Sequence, residues 1–286
     1  MRLCSLLFAL VFLLPGCVAP ASLAVGPPAE NATTSTPQGW LLIVGGGGTT
    51  DDMYARAISL GGGAASKVVV FPQASELPDT GDSSAAVWRD NGAGEVNVAD
   101  TKDEAAALKL VESASIIWFP GGVQSRLMSA LGAKLPEAIR TRYRQGAVVG
   151  GTSAGAAVMS GVMLTGDVES DSPDDGGLTF VRSSTVVTAR GLGLVEWAVI
   201  DQHFIRRRRF NRLLSVVLDH PRLVGIGIDE RTAILVHDRS FEVIGESNVL
   251  VIDARDADEI QAKKGLRSTA TGIKLDLLGH GMRFDL

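Results

Sequence analysis

Residues 147–160 read AVVGGTSAGAAVMS, which places a serine between two glycines at the end of an apolar run. The run Ala147–Gly150 is typical of a buried strand, and the alanines after Ser153 favour a helix. A serine in the pattern Gly-x-Ser-x-Gly at such a turn is a candidate nucleophile, because its small neighbours permit the sharp bend that exposes the hydroxyl. The start of the following helix would offer N–H groups and a positive dipole end to a developing oxyanion.

Short apolar runs alternate with helix-length segments along the chain. The predicted strands are Trp40–Val44, Lys67–Phe71, Glu95–Val98, Ser115–Phe119 and Ala147–Gly150. The predicted helices are Thr50–Leu60, Asp103–Glu112, Val123–Leu131 and Pro136–Gln145. This alternation is typical of parallel strands that are covered by helices on both faces. We therefore predict an α/β protein with a mostly parallel sheet.

The pattern changes after Gly225, where shorter apolar runs are separated by tight turns. These runs are Ile226–Ile228, Ala233–His237, Phe241–Ile244 and Val249–Ile252. Closely spaced strands joined by short turns favour antiparallel pairing, so we predict antiparallel edge strands towards the C-terminus.

Composition and charge exclude several classes of protein. Of the 286 residues, 45% are hydrophobic and 21% are charged, which is the balance of a globular chain rather than a disordered one. The net charge of −5 argues against a general nucleic-acid partner, which would require a basic face. The two cysteines, Cys4 and Cys17, both precede the body of the protein, and the chain has four histidines. We therefore expect no disulfide, no cysteine nucleophile, no metal site and no cofactor.

The N-terminus has the features of an export signal. Residues 1–16 combine Arg2 with an apolar run that is too short to span a bilayer, which predicts a signal peptide. The sequence Leu-Pro-Gly-Cys17 resembles a bacterial lipobox, which would make Cys17 a lipidated N-terminus held at the membrane. Cleavage near Ala19 or Ala21 is the alternative. We expect a flexible linker over 17–38, a main domain over 39–286, and a protein on the cell envelope, in the periplasm or secreted.

A serine nucleophile needs a base, and position favours His203 among the four histidines. His203 lies just beyond the apolar run Ala198–Ile200, and the carboxyl ends of strands are where sites form in α/β sheets. The acid that would orient its second ring nitrogen stays open on position alone. Asp229 and Glu230 follow another predicted strand. The other acidic candidates follow the elbow helix and are Asp167, Glu169 and Asp171.

Two further features are a glycine run and an arginine run. Gly45–Gly48 lacks the spacing of a dinucleotide-binding fingerprint, because Thr50 stands where the third glycine is required. We interpret the run as a tight strand-to-helix turn with close backbone packing. Five arginines, at 206–209 and 212, lie within ten residues of His203 and could bind carboxylates through paired guanidinium contacts. Four consecutive arginines cannot share one helix face, so we expect some of the five to be only solvated.

Taken in order, four motifs resemble the cyanophycinases of serine peptidase family S51, a family that also holds aspartyl dipeptidase. They are Gly-Gly-Thr-Ser153-Ala-Gly-Ala, Asp201-Gln-His-Phe, Arg207-x-Arg-x-x-Arg212 and Gly227-Ile-Asp-Glu-Arg-Thr-Ala. The resemblance runs from about Trp40 to about Asp253. It implies a three-layer, class I glutamine-amidotransferase-like sandwich, a homodimer and metal-free chemistry. The activity it implies is the exo-hydrolysis of cyanophycin, multi-L-arginyl-poly-L-aspartate, to β-Asp-Arg dipeptides.

The resemblance also implies roles for individual residues. Ser153 matches the nucleophile, His203 the base and Glu230 the acid, with Glu169 in reserve. The backbone N–H groups near Gly122 and Ala154 would hold the oxyanion. The positions matched to substrate binding are Gln124, Asp201, Gln202, Arg207, Arg209 and Arg212. Among these, Asp201 would bind substrate guanidinium groups, and the arginines would bind substrate carboxylates.

Three alternatives remain open from the sequence. The first is a dipeptidase acting on short aspartyl or isoaspartyl peptides. The second is an α/β-hydrolase esterase that uses Ser153, an acid such as Asp229, and His280. The third is a binding protein on a degenerate hydrolase fold that uses its arginines to hold anions.

Overall fold

The computed structural model describes residues 37–168 and 180–286. The helices are α1 (Asp51–Leu60), α2 (Thr80–Asp90), α3 (Glu104–Ser113), α4 (Gln124–Leu131), α5 (Lys134–Arg144), α6 (Ala154–Ala157) and α7 (Phe210–Asp219). The first eight strands are β1 (Trp40–Val44), β2 (Lys67–Val70), β3 (Glu95–Val98), β4 (Ile116–Phe119), β5 (Val148–Thr152), β6 (Val162–Val168), β7 (Val186–Arg190) and β8 (Ala198–Gln202). The later strands are β9 (Val224–Ile228), β10 (Thr232–His237), β11 (Ser240–Gly245), β12 (Val249–Asp253), β13 (Asp258–Gln261), β14 (Thr269–Thr271), β15 (Lys274–Leu278) and β16 (Arg283–Asp285).

An eight-stranded sheet with the order β16-β11-β10-β1-β5-β4-β2-β3 forms the centre of the molecule. The five strands from β1 to β3 in that order are parallel, and β10, β11 and β16 extend the sheet with antiparallel pairs. This arrangement confirms the predicted α/β class, the mostly parallel sheet and the antiparallel strands towards the C-terminus.

Helices cover both faces of this sheet, as the continuous apolar strands require. Along β1 the side chains alternate between two cores, because successive residues of a strand point to opposite faces. Leu42 and Val44 pack with residues of α1 and α2, including Trp88. Leu41 and Ile43 pack with apolar residues of α3, α4 and α5. These layers are the three-layer sandwich that the family resemblance implied.

A second sheet of four strands, with the order β15-β12-β9-β8, was not expected as a separate unit. One face shares the core of the large sheet through residues such as Ile200 and Ile226. Its other face is covered by α7, whose Leu213 and Val217 pack against Val199. An apolar run predicts a strand but not its neighbours, so sequence reasoning placed all the strands in one sheet.

Three other details differ from the sequence expectations or lie beyond them. Helix α2 was not predicted, although it buries Trp88. The helix expected after Ser153 is a single turn, α6. The predicted signal peptide, Cys17 and most of the predicted linker lie outside the described residues. Within 37–168 and 180–286, no helix has the length and apolar character needed to cross a membrane.

Candidate active site

Ser153 stands at the end of β5 in a strained backbone conformation, with φ of 54° and ψ of −110°. The two flanking glycines make the bend possible. A Cβ on Gly151 would lie 2.6 Å from the carbonyl oxygen of Gly155, and one on Gly155 would lie 2.0 Å from that of Phe119. Both distances are too short for any side chain, which is the steric reason for the Gly-x-Ser-x-Gly pattern.

His203 follows β8, and its ring reaches Ser153 from the second sheet. Its Nε2 lies 2.9 Å from Oγ of Ser153, within hydrogen-bond distance. The backbone of His203 also lies in the left-handed region, with φ of 50°, and its N–H donates to the carbonyl oxygen of Gly45 at 2.7 Å. The residue is only 7% exposed, so the structure holds the imidazole in place beside the serine.

Glu230 completes a chain of three side chains. Its Oε1 lies 2.7 Å from Nδ1 of His203. Asp229, the neighbouring candidate acid, instead accepts hydrogen bonds from backbone N–H groups and from Ser247. The geometry therefore separates the two acids that position alone left tied. The remaining candidates lie outside the described side chains, namely Asp167, Glu169 and Asp171.

The surroundings of His203 favour its neutral form. Burial lowers its pKa below the usual range, and the positive charges of Arg207 and Arg209 lower it further. The hydrogen bond to Glu230 and the charge of that carboxylate act in the opposite direction. A neutral imidazole that donates Nδ1–H to Glu230 keeps Nε2 free to accept the proton of Ser153.

The glycine run after β1 supports both the imidazole and the carboxylate. A Cβ on Gly46 would lie 2.3 Å from Cε1 of His203, and a Cβ on Gly47 would lie 2.5 Å from Cβ of Glu230. Gly46 and Gly47 have φ values of 101° and 68°, which glycine adopts readily. The interpretation as a tight turn with close packing is confirmed. What sequence reasoning missed is that the groups packed against this turn are His203 and Glu230.

The segment after β4 runs alongside the serine. A Cβ on Gly121 would lie 3.4 Å from Cβ of Ser153. Gly122 has φ of 143°, and a Cβ there would lie 2.2 Å from the carbonyl oxygen of Ala74. Ala154, the first residue of α6, has an N–H with no acceptor inside the helix. Since α6 is one turn long, individual N–H groups rather than a helix dipole are available to an oxyanion here.

The structure divides the five arginines into two groups. Arg206, Arg207 and Arg208 are exposed, and none of them forms an ion pair with a described residue. Arg209 and Arg212 are buried. We expected some of these arginines to be only solvated. The structure shows that the exposed ones are the three at 206–208 and that the other two lie inside the protein.

Asp201 and Arg212 bind each other inside the protein, and their predicted contact with substrate stays a prediction. Nε of Arg212 donates to Oδ2 of Asp201 at 3.0 Å, and Nη2 donates to Oδ1. The Asp201 side chain is fully buried and that of Arg212 is 3% exposed. The charge of each side chain is therefore neutralised by the other inside the protein.

Arg209, Gln202 and Gln124 complete the buried polar layer. Nη1 of Arg209 donates to the carbonyl oxygen of Gln202 at 2.7 Å, and burial lowers the pKa of Arg209 to about 10. Among the described residues, Nε of Arg209 and Oε1 of Gln202 have no hydrogen-bond partner. Nε2 of Gln124 donates to the carbonyl oxygen of Leu164 at 2.8 Å. Two unpaired polar atoms therefore remain at the carboxyl end of β8.

The other histidines lie elsewhere. The ring of His237 stacks on Trp40 with a centroid distance of 4.4 Å. His280 accepts the N–H of Gly245 at Nδ1. The esterase alternative with His280 as the base is therefore wrong, since Ser153 already has His203 as its partner. No three described His, Cys, Asp or Glu side chains are grouped to hold a metal ion.

A hydroxyl, an imidazole and a carboxylate linked in this order at the edge of an α/β sheet define a serine hydrolase. Residues 41–244 match peptidase family S51. The cyanophycinase of Geminocystis herdmanii (strain PCC 6308) is 35% identical over 238 residues, or 78% of this chain and 84% of that protein. The cyanophycinase of Nostoc sp. (strain PCC 7120 / SAG 25.82 / UTEX 2576) is 33% identical over 237 residues, or 79% of this chain and 77% of that protein.

A solved structure shares the fold. The crystal structure of a peptidase from an acI-B1 Actinobacterium superposes with a TM-score of 0.61 at 20% identity, covering 87% of this chain and 97% of that one. The present chain belongs to peptidase family S51, and it is a serine-type peptidase.

Proposed function

We propose that the chain is an exported serine exopeptidase that hydrolyses cyanophycin and releases β-Asp-Arg dipeptides. The observation that carries the proposal is the hydrogen-bonded chain Ser153–His203–Glu230 beside a turn of exposed arginines that form no ion pair with a described residue. Two relatives at 33–35% identity are cyanophycinases, which supports the choice of polymer.

The proposed chemistry is acyl transfer through Ser153. Its Oγ attacks the carbonyl carbon of the scissile amide while Nε2 of His203 takes the hydroxyl proton. The carbon–nitrogen bond breaks as His203 gives that proton to the leaving amine, and an ester on Ser153 remains. Water then attacks the ester, His203 takes a proton from the water, and the proton returns to Ser153 as the acid leaves. Glu230 holds the imidazole in the required tautomer and stabilises the imidazolium.

The oxyanion of each tetrahedral intermediate would be held by backbone N–H groups of Gly122 and Ala154. Both belong to segments that flank Ser153, and the backbone near Gly122 is fixed by the bond from Val123 N–H to the carbonyl oxygen of Ala74. A single donor of this kind typically contributes about 2.7–4 kcal/mol to the stabilisation of the transition state.

Substrate capture would depend on the exposed arginines of the turn. Cyanophycin offers a repeating series of carboxylates, and guanidinium groups bind carboxylates in pairs of parallel hydrogen bonds. The backbone N–H of Arg207 donates to the carbonyl oxygen of His203 at 2.9 Å, so we expect this cation to lie near the scissile bond. Nε of Arg209 and Oε1 of Gln202, which have no hydrogen-bond partner among the described residues, would also be available to a ligand.

Export is proposed from the N-terminal sequence alone. Arg2, the apolar run after it and the lipobox-like segment ending at Cys17 are the supporting features. An exported enzyme could act on an insoluble polymer that cannot enter the cell. Lipidation of Cys17 and assembly into a homodimer remain predictions.

Product analysis by mass spectrometry tests the proposal. The body of the protein (39–286) and its Ser153→Ala variant would each be incubated with insoluble cyanophycin. Release of β-Asp-Arg by the unaltered protein alone is the expected result. A folded protein that releases nothing from the polymer but cleaves short isoaspartyl peptides would instead establish the dipeptidase alternative.

A further inference from the structure

We propose that Asp229 is a positioning residue that holds the arginine turn, residues 205–208, beside His203. Its Oδ1 accepts the backbone N–H of Ile205 at 3.1 Å and that of Arg206 at 2.9 Å. Its Oδ2 accepts the hydroxyl of Ser247 at 2.7 Å. The residue is 8% exposed, so these three hydrogen bonds form largely away from water.

The arginine turn needs such support because its own features oppose a fixed position. Three exposed guanidinium groups follow one another and repel each other. The backbone is in the left-handed region at His203 and again at Arg208, where φ is 53°. A carboxylate bound to two consecutive N–H groups is a strong anchor, since hydrogen bonds to a charged group are about twice as strong as neutral ones.

The placement of Asp229 also leaves the arginines available to a ligand. Its carboxylate contacts the backbone of the turn and Ser247, and it forms no ion pair with a described arginine. The main chain of Asp229 is itself fixed, because its N–H donates to the carbonyl oxygen of Asn248 at 3.2 Å. Asp229 thus connects the loop after β9 to the turn after β8 without pairing with the guanidinium groups of that turn.

The two adjacent acids therefore have separate tasks. Glu230 holds the imidazole ring of His203, and Asp229 holds the backbone two and three residues beyond it. Glu230 therefore fixes the orientation of the base, and Asp229 fixes the position of Arg207 relative to the base. This inference rests on the proposed function only in taking the exposed arginines to bind substrate carboxylates.

Steady-state kinetics of Asp229→Ala and Asp229→Asn test the role, with cyanophycin and an uncharged p-nitrophenyl ester as substrates. In Asp229→Ala we expect KM for cyanophycin to rise about tenfold, with kcat changed less than about threefold. The ester should be hydrolysed nearly as before. Asn keeps one carbonyl oxygen able to accept both N–H groups but lacks the charge, so Asp229→Asn should recover part of the loss. Ser247→Ala is the matched control, because it removes only the hydrogen bond from Ser247 to Asp229. It should leave KM unchanged for both cyanophycin and the ester.

Hydrogen exchange supplies a measurement that does not depend on the substrate. The backbone N–H groups of Ile205 and Arg206 should exchange faster in Asp229→Ala than in Ser247→Ala. Unchanged exchange, or equal losses of kcat on polymer and ester, would overturn the inference. If the unaltered protein hydrolyses the ester but no cyanophycin, the proposed function fails, and the exchange result alone decides the role of Asp229.

Discussion

Ser153 and His203 both hold their backbone in a region that non-glycine residues avoid, with φ of 54° and 50°. Conformations of this kind cost about 1–3 kcal/mol each and persist where the surroundings enforce them. Two consecutive carbonyl groups at the end of β1 do so here. The oxygen of Val44 accepts the N–H of Ser153 at 3.1 Å, and the oxygen of Gly45 accepts that of His203. One strand end therefore sets the positions of both the serine and the imidazole.

Gly46→Ala should damage activity far more than stability. The new Cβ would overlap the ring of His203, and displacing a reacting group by about 1 Å can cost about a hundredfold in rate. The measurement is kcat on the ester together with the midpoint of thermal unfolding. Gly62→Ala is the matched control, because Gly62 has nearly the same φ, 102°, but no atom within 4 Å of its Cβ position. Equal activity in both variants would show that the glycine turn does not position the base.

The pH dependence of kcat/KM should follow the protonation of His203. Its pKa lies below the usual value of about 6.5, so activity should persist at neutral pH and fall once the imidazole is protonated at lower pH. Arg207→Gln removes a positive charge that lowers this pKa, and the acidic limb should therefore move to higher pH. The uncharged p-nitrophenyl ester is the substrate, because it does not depend on Arg207 for binding. Arg222→Gln, which removes an exposed arginine that does not influence the pKa of His203, is the control. An acidic limb that stays in place would contradict this account of the electrostatics.

At the scale of secondary structure, the buried pair of Asp201 and Arg212 joins β8 to α7. Helix α7 covers the second sheet with an apolar face, and Arg212 is the cation within that face. Its partner lies at the carboxyl end of β8, one residue before Gln202 and two before the imidazole. The pair therefore links the packing of the helix to the position of the base.

Asp201→Asn should lower the free energy of unfolding by about 3–5 kcal/mol, because it leaves the Arg212 guanidinium buried without its counter-charge. Denaturation by urea measures the change. Asp256→Asn breaks an exposed pair with Lys274, which lies 2.6 Å away, and should leave the unfolding midpoint nearly unchanged. A loss for Asp201→Asn no larger than that of this control would mean that the buried pair does not hold the helix on the sheet.

Sequence reasoning predicted elements better than their assembly. The bounds of β1 and β3 agree with the prediction, since each is an apolar or alternating run between clear turn signals. The division into two sheets could not be predicted, because strand pairing depends on contacts distant in sequence. The same applies to the ion pair between Asp201 and Arg212, which are eleven residues apart in the sequence.

For the whole molecule, the sequence predicted those parts of the site that lie in short, recognisable motifs. The elbow around Ser153 has a steric signature, and a histidine beyond a strand end pointed to His203. Position alone could not choose between Asp229 and Glu230. The family resemblance favoured Glu230, and the hydrogen bond from His203 to Glu230 gives the physical reason. The close packing of Gly46 against His203 and of Gly47 against Glu230 is visible in the sequence only as a glycine run. Glycine runs occur in many structural settings, so the run alone does not indicate this role.

The predicted lipid anchor also concerns the whole molecule. Cys17→Ala in the full chain should move the protein from the membrane fraction to the soluble fraction of the producing bacterium, because the lipid would attach at that cysteine. Cys4→Ala is the matched control, since Cys4 lies inside the predicted signal peptide, and this variant should stay with the membranes. Equal distribution of the two variants and the unaltered protein would refute lipidation at Cys17.

Covalent labelling of Ser153 tests the central claim most directly. A fluorophosphonate reacts with a serine that an adjacent base activates, and mass spectrometry of the digested protein locates the adduct. The account predicts one adduct, on Ser153, that is absent in Ser153→Ala and forms much more slowly in His203→Gln and Glu230→Gln, while His280→Ala is labelled like the unaltered protein. Labelling at another residue, or labelling that depends on His280 rather than His203, would contradict it.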